Sequence, residues 1–297
     1  MDGGNAVEEK KILPPGAGAE ALERLREAGS ALLLWMLGRD AAGSLLALGA
    51  QALAPAWAAS PVFLWLSKVL AGYGVGFPLA VWWLLRRPDP LPERAALHPG
   101  RLLRDAVALV GVCYAANALT LLLTGGGQAA SAAPEEPAAL LAVRVCVLAP
   151  LAEEFVFRRL LLERLRPLGE RFALAVTAVC FAVFHGSAGQ LLYALAAGLV
   201  LGAAALRTGR LWPSILLHVV NNLTALLAPL WLAGLGSWGS AVVALIAILG
   251  CLAALLLARE TAGAFPPAGR AVWGLFWRSR WLLLALLYPW IALFLWG

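Results

Sequence analysis

The chain has 297 residues, of which 62% are hydrophobic and only 13% charged, and its formal net charge is +6. Soluble domains carry about 25% charged residues, so the composition excludes an ordinary soluble protein and points to an integral, multi-pass membrane protein. The positive balance does not indicate nucleic-acid binding, because the arginines cluster between apolar stretches, as in loops beside a bilayer.

In chain order, residues 1–28 form a polar tail and the start of a helix. No basic n-region or early apolar run marks a cleaved signal peptide, and the first span is expected to serve as the insertion signal. Over 19–37, Leu22, Leu25, Leu32, Leu33 and Met36 fall on one side and Glu23, Arg24, Arg26 and Glu27 on the other, which predicts an interfacial helix. Membrane spans are predicted over 41–58, 62–84, 103–123, 138–157, 172–186, 188–206, 212–234, 239–257 and 281–296. A crossing needs about 20 apolar residues, so 172–186 and 281–296 are short and 41–58 is weak. The expected fold is all-α: a polytopic transmembrane bundle of eight or nine spans with an N-terminal interfacial helix. It divides into N-terminal membrane helices (29–137), a core (138–235) and C-terminal membrane helices (236–297). Cys113, Cys146, Cys180 and Cys251 sit in separate apolar stretches without metal-ligand spacing and read as small packing residues.

Arginine placement sets the orientation. Arg86, Arg87, Arg94, Arg101 and Arg104 flank the turn after the second span. Arg158, Arg159, Arg164, Arg166 and Arg171 flank the turn between the fourth and fifth. Arg207 and Arg210 follow the sixth, and Arg259, Arg270, Arg278 and Arg280 the eighth. The loops at 125–137, 186–190 and 233–238 contain no Lys or Arg. The N-terminus is therefore expected in the cytoplasm and, with nine spans, the C-terminus outside.

Within this apolar chain, LAEEFVFRRL (151–160) sets Glu153 beside Glu154. Carboxylates in a span usually face a bundle interior or a water-filled cavity, although a pair near a membrane edge can simply snorkel. The remaining polar residues favour the cavity. Of three histidines, His98 lies in a charged loop, whereas His185 and His218 lie in apolar helices. Each belongs to a pair four residues apart, Phe181 with His185 and His218 with Asn222, matching Glu154 with Arg158; such pairs share a helix face. Helix rise places Glu153 and His185 each about 20 Å from the turn near 167–169, and His218 about 12 Å from the turn at Arg210. The three elements can meet at similar depth. A carboxylate and an imidazole can activate water as general base, and neutral His and Asn amide groups can donate to an oxyanion. The set fits hydrolysis of an amide or ester by water, and no serine or cysteine nucleophile motif accompanies it.

EEFVFR (153–158), FAVFH (181–185) and HVVNN (218–222) resemble the motifs EExxxR, FxxxH and HxxxN of the CAAX protease and bacteriocin-processing family of intramembrane proteases, which includes the Ras-converting endopeptidase and the bacterial Abi proteins. The resemblance covers about 138–235. It implies an intramembrane endopeptidase cutting a membrane-anchored protein or peptide. Glu153 and His185 would activate water, His218 and Asn222 would stabilise the oxyanion, and Glu154 would pair with Arg158 to hold Glu153 in place. No cofactor is expected. The alternative is zinc held by Glu153, His185 and His218, although no helical HExxH is present.

Other residues carry weaker expectations. Pro150 removes a hydrogen bond from the Cys146 carbonyl and can open space beside the carboxylates. Phe181 and Asn221 are candidate cavity or substrate contacts, with spacing favouring Asn222 over Asn221. Arg144 is either a substrate contact or a snorkelling residue, and Lys68, Asn117, Gln190 and Tyr193 are candidates for the cavity wall. Rival functions are a proton-coupled transporter, against which no inverted repeat is found, and a non-catalytic relative that binds a partner membrane protein. The Ala-, Leu-, Gly- and Arg-rich composition suggests a bacterial inner-membrane protein with the lipid bilayer and its substrate as partners.

Overall fold

The structure, a computed structural model, describes residues 16–125, 136–265 and 269–296, and every regular element among them is helical. The first helix, α1 (Ala17–Leu53), runs for 37 residues without a break, about 55 Å. The expected interfacial helix and first span are thus one element. No proline lies between Gly16 and Ala54 to divide them, and the helix ends where Pro55 begins the short α2 (Pro55–Ala58). Much of the apolar stripe of its first half packs against protein. Leu25, Leu32, Trp35 and Met36 are buried in the core, and Trp35 packs on Phe77, Phe157 and Phe184.

Ser60 then caps α3 (Pro61–Val69), its hydroxyl accepting the Phe63 N–H at 3.2 Å. A π-helical turn (Leu70–Gly76) leads into α4 (Phe77–Leu85), and α5 (Pro99–Leu123) follows a charged loop. The next passage is continuous from 138 to 165. It comprises α6 (Ala138–Val143), a π turn (Arg144–Leu148), α7 (Ala149–Glu154), a π stretch (Phe155–Leu162) and α8 (Glu163–Leu165). After a turn at Gly169 come α9 (Glu170–Phe184), α10 (Ala188–Thr208), α11 (Trp212–Leu235) and α12 (Gly239–Ala264). The last pair, α13 (Arg270–Arg278) and α14 (Arg280–Trp296), is bent by 60° at Ser279.

Among the described residues, five helical stretches are long and apolar enough to cross a membrane, or six if the bent pair counts as one span. The protein is accordingly an integral membrane protein, but the eight or nine spans expected from hydropathy exceed this number. The passage 138–165 carries two carboxylates and two arginines in its middle, and α9 has only 15 residues. Residues 212–264, expected as two spans, qualify as a single apolar stretch.

The arginine-rich turns gather at one end. Arg164, 3% exposed, bonds Glu27 of α1, Asp89 of the following loop and the carbonyls of Leu84 and Arg87. Arg24 reaches Asp89 at 2.9 Å, Arg104 pairs with Glu260, and Arg207 pairs with Asp105. The tip of the α8–α9 hairpin, too charged for lipid, is therefore covered by α1, α4 and their loop rather than free in solvent. Across the bundle, α5 and α12 touch backbone to backbone, since a Cβ on Gly111 would lie 2.3 Å from the Gly250 Cα. Small residues permit such close approach where lipid supplies no hydrophobic drive between helices.

Candidate active site

Pro150 shapes the first wall of the site. The Ala149 N–H bonds the Arg144 carbonyl five residues back, a π-helical step. Continuing that pattern, the Val145 carbonyl would need the N–H of residue 150, which proline lacks. The side chain of Asn222 fills the vacancy, its Nδ2 donating to the Val145 oxygen at 2.7 Å. The freed carbonyl is thus Val145, one residue before the Cys146 expected from an unbroken α-helix, and it fastens α11 to the helix carrying the carboxylates.

Glu153 and Glu154 then diverge. Glu154 is fully buried, with one oxygen accepting Nε–H of Arg158 at 3.1 Å and the other 2.9 Å from Nδ1 of His218. The i, i+4 pair expected from spacing is present, and a histidine from another helix joins it. Glu153 is 9% exposed and makes no hydrogen bond or ion pair with another described residue. It lines a cavity of about 350 Å³ together with Phe181, His185, His218, Asn222 and Arg144, and with Tyr73, Gln190 and Tyr193.

The second wall comes from α9. His185 Nδ1 lies 2.7 Å from the carbonyl of Phe181, so this nitrogen carries the proton and leaves Nε2 with a lone pair. The chain turns immediately afterwards at Gly186, whose φ of +61° suits a residue without Cβ. The Phe181 ring is a hub. It stands edge-on to His185 (4.8 Å) and His218 (5.9 Å), and the Arg158 guanidinium lies 4.9 Å from its centroid. These aromatic contacts fix both imidazoles without consuming their second nitrogens.

The remaining expectations divide. Asn221 is 4% exposed and is not part of the cavity wall; it donates to the hydroxyl of Tyr193, a wall residue, at 2.7 Å, and that hydroxyl bonds Asn222 Oδ1 at 3.3 Å. Arg144 reaches the cavity wall, but Glu136 holds its guanidinium at 2.9 Å and also accepts from Lys68 at 2.5 Å. Lys68 and Asn117 are not part of this wall; Gln190 and Tyr193 are. Sequence reasoning missed Tyr73, a lone aromatic among glycines in AGYGVG (71–76), where Pro78 imposes a second π turn. It also missed Arg39, Asp40 and Tyr288. A charge at the centre of a membrane helix costs about 2.5–3.5 kcal/mol on insertion scales, and here Arg39 pairs with Asp40 (2.7 Å) and Tyr288 donates to Asp40 (2.7 Å). Among the described residues no three His, Cys, Asp or Glu groups stand close enough to hold a metal ion.

An all-helical membrane protein with a polar, carboxylate- and imidazole-lined cavity is the class that this geometry defines. Residues 135–224, the stretch that carries all three motifs, match the family model for the type II CAAX prenyl endopeptidase Rce1-like family. That match supports a CAAX-type intramembrane protease in general. No curated protein and no solved structure matches the chain.

Proposed function

We propose that the protein is an intramembrane endopeptidase that hydrolyses a peptide bond of a membrane-anchored protein or peptide. The observation that carries this reading is the meeting of Glu153, His185, His218 and Asn222 around one cavity. Glu153, the carboxylate without a partner, takes a proton from a water molecule that also hydrogen-bonds the lone pair of His185 Nε2. The resulting hydroxide attacks the scissile carbonyl carbon. The oxyanion that forms receives the second Nδ2 hydrogen of Asn222, the first being committed to Val145. It also receives a hydrogen from His218 Nε2. Because His218 Nδ1–H is directed at Glu154, this second donation uses the imidazolium form, with the Glu154 carboxylate as counter-charge. Collapse of the intermediate breaks the C–N bond, and the proton held by Glu153 passes to the leaving amine.

The reading places the arginine-rich end in the cytoplasm, consistent with the charge asymmetry of the loops, in a bacterial inner membrane. Its test is cleavage of a membrane-anchored reporter by purified protein in lipid nanodiscs. Glu153→Ala should abolish cleavage with thermal unfolding unchanged, and full activity in that variant would overturn the assignment.

A further inference from the structure

A second, larger cavity of about 790 Å³ adjoins the first, and His185 belongs to the walls of both. It is bounded by Arg39 and Asp40 of α1, Ser67 and Lys68 of α3, Gly186, and Tyr288 of α14. Asp40 lies 13 residues from Glu27 in one direction and 13 from Leu53 in the other, about 20 Å each way, so these charges sit midway along a membrane helix. Ionisable residues at such depth face a bundle interior or a water-filled cavity and mark functional paths. Here the Arg39 and Asp40 side chains are each 36% exposed, open to the cavity rather than sealed into packing. The Arg39 guanidinium stands 5.8 Å from the Phe184 ring, beside His185.

A membrane-anchored peptide can be cut only where its helix has been opened. Opening frees backbone N–H and C=O groups, which hydrocarbon cannot satisfy. A groove next to the site that offers both donors (Arg39, Lys68) and acceptors (Asp40, the Ser67 hydroxyl) supplies the missing partners. We infer that the larger cavity is the docking groove for the unwound peptide segment flanking the scissile bond, with Arg39, Asp40 and Tyr288 pairing its backbone. The inference rests on the protease reading of the adjoining site. It assigns substrate selection to α1, α3 and α14, outside the stretch 135–224 that is Rce1-like.

The test uses the full chain carrying Glu153→Gln in nanodiscs, with a photo-cross-linking residue at Ser44 or Ser67 in the groove, or at Leu252 on the exposed face of α12. A membrane-anchored reporter peptide should be labelled from Ser44 and Ser67, near its cut site, and not from Leu252. Labelling that is absent from the groove, or equal at all three positions, overturns the inference and leaves a water conduit only. Kinetics give a second readout: Asp40→Asn or Tyr288→Phe should raise KM about tenfold with kcat within about twofold, as expected for lost substrate binding. Lowered kcat at unchanged KM overturns it. Tyr288→Phe removes one hydroxyl and serves where Asp40→Asn fails to fold. If the reporter is never cut, the protease reading fails, yet labelling from Ser67 still decides whether the groove holds peptide.

Discussion

Nδ1 of His218 lies 2.9 Å from Glu154, a carboxylate whose other oxygen is tied to the buried Arg158. The second glutamate of LAEEFVFRRL thus serves two helices at once, orienting a cavity imidazole and pairing with a guanidinium that has no exposed side-chain surface.

Removing that charge should separate stability from chemistry. Glu154→Gln leaves Arg158 buried without its counter-ion, and the expected loss of stability is about 3–5 kcal/mol. Activity should fall about 10²–10⁴-fold, as when a catalytic imidazole loses its orienting carboxylate. The double variant Glu154→Gln, Arg158→Gln should regain much of the thermal stability without regaining cleavage. Recovery of both together would show that the pair acts only as scaffold.

Asn222 closes a carbonyl that proline leaves open. In Asn222→Ala the Val145 oxygen loses its donor, at an expected cost of about 1–3 kcal/mol in unfolding free energy. Loss of an oxyanion donor should lower kcat by about 10²–10³ with little change in KM. Asn221→Ala should leave kcat far less affected, because Asn221 is not part of the cavity wall and reaches it only through the Tyr193 hydroxyl. Steady-state kinetics on the two variants distinguish these outcomes.

Acid should loosen the mouth of the cavity. Burial by itself pushes the Glu136 carboxyl up, but hydrogen bonds from Lys68 and Arg144 outweigh it and hold it below its ordinary value of 4.5. A depressed carboxyl stabilises the fold above its ordinary value, and the contribution disappears as pH falls through the lowered one. Thermal unfolding followed from pH 7 downward should show this loss only below the ordinary carboxylate range. Glu136→Gln should remove that part of the dependence.

Chelation should leave turnover intact. The proposed water activation uses Glu153 and His185 alone. Reporter cleavage measured before and after dialysis against a strong chelator should agree, and a loss restored by added zinc would reverse this expectation.

Local periodicity carried much of the site and less of the fold. Pairs four residues apart placed Glu154 with Arg158, and helix rise put Glu153 and His185 at one depth, because both quantities depend only on the backbone near each residue. The link from His218 to Glu154 spans 64 residues and that from Tyr288 to Asp40 spans 248; no local pattern reports such distances. The first half of α1 was ambiguous for a different reason. An apolar stripe opposite a charged one satisfies a headgroup layer and a protein core equally well. What decided between them was the partners of Glu27 and Arg24, which come from the loop after α4 and from α8.

The union of α1 with α14 has a consequence for biosynthesis. Asp40 emerges from the ribosome long before Tyr288, the residue that bonds it. Until residues 280–293 have been made and inserted, the larger cavity lacks one side and His185 has no finished groove beside it. On this account the groove is completed by a helix that contributes no catalytic group.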